Sequence, residues 1–165
     1  KITKDFFATV QNKLHWAITG QTAAELIASR ADSSKENMGL TTWKNGPKGE
    51  IRKTDVVVAK NYLKESELDG LNRIVTMYLD YAEIQAERKQ PIYMREWKEK
   101  LDAFLMFNEQ EILNDKGSVS MDIARHLALE EYERFSARRI AVENASADAE
   151  FEQVAKQIEQ KNRTE

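Results

Sequence analysis

Apolar residues along this chain recur every three or four positions with few interruptions, the period of amphipathic helices rather than strands. Phe6, Phe7, Val10, Leu14, Ala17 and Ile18 mark a first helix, and Gly20 stands where a helix ends. Thr22 and Glu25 make the T-x-x-E capping-box pattern ahead of Ala23, Ala24, Leu26 and Ile27. That spacing predicts a second helix of about ten residues, fading into the turn-rich stretch 31–37. Residues 38–53 are the least helical. N-G-P-K-G at 45–49 is a turn signal, and either an irregular loop or a small hairpin from 40–43 to Ile51 is expected there. Thr54 looks like the cap of a helix over 55–63, with Asp55 in its first turn outweighing the strand preference of three valines.

The strongest helical pattern runs over 65–88. Leu68, Leu71, Val75, Tyr78 and Ala82 form a stripe that Ile74 and Leu79 widen, and Pro91 stops it. Trp97, Leu101, Phe104 and Leu105 mark another helix over 93–108. Ser120 then caps a long final one through Ile123, Leu127, Tyr132 and Phe135. The pattern predicts a mainly α fold: a single helical domain over 1–144 of about six helices, with one irregular loop or small hairpin near 40–53. A charged tail over 145–165, sparse in apolar positions, would be a projecting helix or a frayed end.

Composition sharpens this outline. At 165 residues the chain suits one domain with a proper core. Two prolines and six glycines leave long elements uninterrupted, and 32% charged residues imply wide solvated helix faces. The formal charge of −3 supplies no global attraction to nucleic acid or to anionic membrane. No apolar run approaches a membrane span. The absence of cysteine excludes disulfides and thiolate chemistry. It suits a protein of a reducing cytoplasm and equally a secreted one. The chain opens on Lys1, so we read it as a piece of a longer protein.

Candidate chemistry is sparse. The stretch HWAITGQTAAELIASRAD, residues 15–32, has the outline of a DNA-reading helix-turn-helix. However, Gln21 follows the turn glycine, bulky Trp16 precedes it, and only Arg30 on the second helix could reach a base edge or a phosphate. A structural corner is the better reading. His15, Thr22 and Arg30 at that corner, with Lys44 and Lys60, form a candidate ligand-binding set. Residues 44–64 carry six cations against two carboxylates, a local +4. Lys48, Arg52 and Lys53 there are candidate nucleic-acid contacts, weighed against a merely solvated basic loop. Asp122, His126 and Glu130 share a helix face, as do Asp80, Glu83 and Glu87. Neither stripe has an established metal-ligand spacing, so no metal and no cofactor are assigned. Nucleophile-elbow, S-x-x-K and phosphate-loop signatures are missing, and no catalytic residue is assigned.

The phrases FFATVQNKLHWAITGQTAAELIASRAD, NMGLTTWK, IRKTDVVVAKNYL, LDGLNRIVTMYLDYAE and GSVSMDIARHLALEEYERF occur in order. Together they resemble the RhuM virulence-protein family of bacteria from about Asp5 to Phe135. The resemblance implies an upstream region like the DNA-binding modules of phage-type regulators, with this chain as the helical C-terminal half. Some relatives carry Fic/Doc-type domains, but H-P-F-x-x-G-N-G-R is absent here, and with it any implied AMP transfer. The resemblance transfers no catalytic residue. The expectation is therefore a non-enzymatic module for homo-oligomerisation or protein-partner binding in a virulence-associated protein. Nucleic acid would be touched by the basic segment or the upstream region, and a membrane by neither. An enzyme or small-ligand domain built on His15, Arg30 and Lys60 is the alternative. The final helix is either a self-associating element or a solvated helix packed only by its first half.

Overall fold

A computed structural model describes residues 2–88 and 92–162 of the chain. Within them are five α-helices and no strand: α1 (Ile2–Thr19), α2 (Ala23–Arg30), α3 (Glu65–Glu87), α4 (Met94–Phe107) and α5 (Met121–Asn162). The expected stop of α3 at Pro91 lies outside the described residues.

Local chemistry accounts for most helix ends. α1 closes through the Gly20 N–H, which donates to the Trp16 carbonyl at 2.8 Å while Gly20 takes φ +68°, a conformation that a side chain resists. α2 opens with the capping box read from the sequence. Thr22 Oγ1 accepts from the Glu25 N–H at 3.3 Å, and Glu25 Oε2 accepts from the Thr22 N–H at 2.8 Å. Glu96 plays the glutamate's part for α4, accepting from the Tyr93 N–H at 2.8 Å. Ser120 Oγ accepts from the Ile123 N–H at 3.3 Å at the start of α5.

Between α2 and α3 one expectation is corrected and one open alternative is decided. No helix spans 55–63. The carbonyl of Asp55 accepts from the Asn61 side chain at 2.9 Å and that of Val56 from the Tyr62 hydroxyl at 2.7 Å. The Asp55 carbonyl also accepts from the Val58 N–H at 3.3 Å, so both acceptors are engaged by groups other than the N–H four residues on that an α-helix would use. Only a short 3-10 turn (Ala59–Tyr62) forms. Nor does a hairpin form at 40–53. The N–H groups of Thr41 and Thr42 donate to the Asn61 carbonyl, at 2.8 and 3.2 Å, and not to a strand at Ile51. The N-G-P-K-G loop wraps Trp43, whose indole N–H donates to the Gly49 carbonyl at 2.6 Å. This is the irregular-loop alternative.

The core joins two packing arrangements. α2 lies on α5, where Ala124 and Ala128 are fully buried and let the helices approach closely against Leu26 and Ile27. α1 packs against α3 and α4, where Leu101 and Leu105 are fully buried. The rings of Tyr78 and Trp97 meet edge-on at 5.9 Å between centroids, and the Tyr78 hydroxyl donates to the Trp97 carbonyl at 2.8 Å. The second half of α5 continues as helix, with almost every residue past 140 exposed.

Candidate functional site

The corner between α1 and α2 is well made and closed. Glu25 Oε1 accepts from both the backbone N–H and the hydroxyl of Ser118, at 2.7 and 2.6 Å, fastening the corner to the segment before α5. Burial pushes the Glu25 carboxyl up, but the hydrogen bonds from Ser118 and Thr22 together outweigh it and bring it down to about 2. Gly117 makes this contact possible: a Cβ there would press on Thr22 Cγ2 at 2.7 Å, and its φ is +79°.

Arg30 is equally committed. Its guanidinium donates to both Glu67 oxygens, at 2.6 and 2.8 Å, and to the Tyr62 carbonyl at 2.9 Å. The pairing raises Arg30 and holds the Glu67 carboxyl below its ordinary value. A fork locked in this way fastens α2 to the start of α3. With Leu26 and Ile27 buried, Ser29 is the one exposed residue of α2. That leaves the helix without a reading face for a DNA groove.

His15 is buried on α1 with Nδ1 unpartnered among the described residues, and burial lowers its pKa. Lys44 and Lys60 are exposed on the loop-and-turn segment that Asn61 ties together. Thr22, Arg30 and His15 thus sit in structural positions near the corner, while the two lysines face solvent. Lys48, Arg52 and Lys53 are exposed too, with Lys53 3.3 Å from Glu133 on α5. Asp55 is buried, its carboxylate accepting from the N–H groups of Lys44 (3.2 Å) and Arg52 (2.8 Å), so one of the segment's two negative charges is withdrawn from the surface. His126 and Glu130 form an exposed pair at 3.1 Å. No three metal-ligating side chains cluster among the described residues.

Three surface features stand out, and the first two escaped the sequence reading. The first is a polar cleft of about 840 Å³ between α1, Lys98 of α4 and the connector at 113–116. Lys13 lies at its base, buried, donating to the Leu113 carbonyl at 2.9 Å and ion-paired with Asp102 at 2.7 Å. An amine so engaged is neither a free base nor a nucleophile, and among the described residues no nucleophile–base pair lines the cleft. The available signal was Lys13's position three residues past Val10, on the buried stripe of α1. The second is an apolar groove of about 310 Å³ between α1, α3 and α4, lined by Phe6, Val10, Val75, Leu79, Met94 and Trp97 among others. A shallower depression beside it shares Phe6 and Met94 and adds Arg95 and Lys98. The third is a ridge on α5, where Phe151, Val154 and Ile158 are 75%, 54% and 56% exposed.

Compared with known families, residues 1–143 match the model of the virulence protein RhuM family. The chain belongs to that family. No curated protein and no solved structure matches it. The RhuM match ties the chain to virulence and covers the corner, the clefts and the packed half of α5, but ends before the exposed ridge. No helix of the described RhuM-family chain is long and apolar enough to cross a membrane.

Proposed function

We propose that this chain is a non-enzymatic module through which a virulence-associated bacterial protein self-associates, with α5 as the contact. The observation that carries the reading is the ridge. Ile140, Ala147, Phe151, Val154 and Ile158 fall at spacings of seven, four, three and four on one unbroken helix of 42 residues. That is one face at roughly the 3.5-residue period of helices that pair. A lone solvated helix gains nothing from large exposed apolar groups on one face, whereas burying them against a partner gains about 25 cal/mol per Å² of apolar surface removed from water.

Light scattering of the intact chain tests this. The wild type should exceed the monomer mass, and Phe151→Asp with Val154→Asp should return it to the monomer. These positions are exposed, so folding is unaffected. A wild-type monomer at all concentrations removes the reading.

A second reading, contact with duplex nucleic acid, is favoured by the buried carboxylate of Asp55, which leaves Lys48, Arg52 and Lys53 in a more basic surface than their sequence suggests. Binding to nonspecific duplex should weaken with salt and weaken again when these three become alanine. Absence of any mobility shift at low salt ends that reading.

A further inference from the structure

The ridge on α5 and the groove between α1, α3 and α4 are opposite in shape, and the groove's α4 side runs into a basic edge while the α5 ridge is flanked by acids. The ridge is convex and apolar, flanked by Asp148, Glu150 and Glu152 against Lys156, a local balance of −2. Lys156 lies 3.9 Å from Glu152, which leaves Asp148 and Glu150 without an ion-pair partner among the described residues. The groove is concave, and Leu79 on its wall is 60% exposed. Its neighbouring depression is edged by Arg95 and Lys98 against Asp5, and neither cation has an ion-pair partner among the described residues.

Resting on the self-association reading, we infer that the groove is the seat of the α5 ridge from a second copy of this chain. Phe151, Val154 and Ile158, at i, i+3 and i+7, enter the groove as the apolar face of an amphipathic helix. Asp148 and Glu152, one turn apart on one flank of the ridge, meet Arg95 and Lys98. Two copies exchanging ridges reciprocally form a closed two-fold dimer, in which each groove and each ridge is covered once. Pairing of two ridges with each other is the weaker arrangement. Its seam would run only from Ile140 to Ile158, with Asn144 and Ala147 between Ile140 and Phe151, short of the three to four heptads a coiled coil sustains.

The test uses two full-length variants and their mixture in analytical ultracentrifugation. Leu79→Glu spoils the groove and keeps the ridge. The double variant Phe151→Asp with Val154→Asp spoils the ridge and keeps the groove. Each alone should be monomeric, with dimerisation weakened at least tenfold. Mixed, they retain one intact groove and one intact ridge, and should form a heterodimer weaker than the wild-type dimer yet tighter than either variant alone. Wild-type helical content and a cooperative unfolding transition in both variants show that their folds are intact. Persistent dimerisation of Leu79→Glu, or failure of the mixture to associate, overturns the groove as the seat and leaves self-association through α5 standing. A monomeric wild type overturns both.

Discussion

The two halves of α5 are one continuous helix in different surroundings. In the first half Ala124 and Ala128 are fully buried under α2, while in the second Phe151 is 75% exposed. The half that packs meets α2 most closely through these two alanines, with Leu129, Tyr132 and Phe135 partly buried against the same core, while the large apolar side chains farther along stay mostly exposed. Hydrophobic size along a helix therefore does not mark which part lies in the core. Position relative to the rest of the fold does.

The largest expected effect that tests this contrast is at the α2–α5 contact. Leu26→Ala or Ile27→Ala should destabilise the protein by about 2–5 kcal/mol in denaturant unfolding, since each side chain is fully buried. A loss well below 1 kcal/mol would show that α2 is not part of the core. Next comes Arg30→Ala, which strands Glu67 and leaves the Tyr62 carbonyl without its donor. It should cost about 2 kcal/mol, the scale of lost hydrogen bonds to a charged group, and a double-mutant cycle with Glu67→Gln should reveal strong coupling. Thr22→Ala removes the α2 cap and should cost about 1 kcal/mol.

Acid should weaken the packed corner in two steps. His15 has a lowered folded-state pKa, so the unfolded chain binds a proton first. Its stabilising term is present above the ordinary 6.5 and is lost as pH falls from there towards the lower folded value. Glu25, brought down to about 2, contributes above an ordinary carboxyl value near 4.5 and loses that contribution between there and about 2. Glu25→Gln should flatten the lower step and His15→Gln the upper one, as read from melting temperature against pH. The smallest effect belongs to the far half of α5. Phe151→Ser should change monomer stability by no more than about 0.5 kcal/mol, measured at concentrations low enough to exclude association.

Helices and their boundaries were legible wherever one short segment holds its own partners. Gly20, the Thr22–Glu25 box, Glu65 to Glu87 and the Ser120 cap all follow from residues within four positions of each other. The 55–63 region was misread because Asn61 and Tyr62 reach back to the carbonyls of Asp55 and Val56, a competition that local propensity does not contain. At the site, Arg30 stood out as a polar side chain at the helix corner, but its partner Glu67 lies 37 positions away. Lys13, buried at the polar cleft, was not singled out, because in sequence it is one more cation among the polar positions of α1.

The amino-acid sequence on its own determined the mainly helical class, the family, the capped corner at 20–25 and a long charged final helix, because periodicity, capping and recurring phrases are properties of neighbouring residues. The tertiary structure decided the rest. It assigned Arg30 to a structural fork, turned Asp55 inward, opened a polar cleft over Lys13, and left one groove and one ridge bare on opposite sides of the charge balance. Each of these depends on which distant segments meet, and contact between segments tens of residues apart is set by the packing of the whole chain.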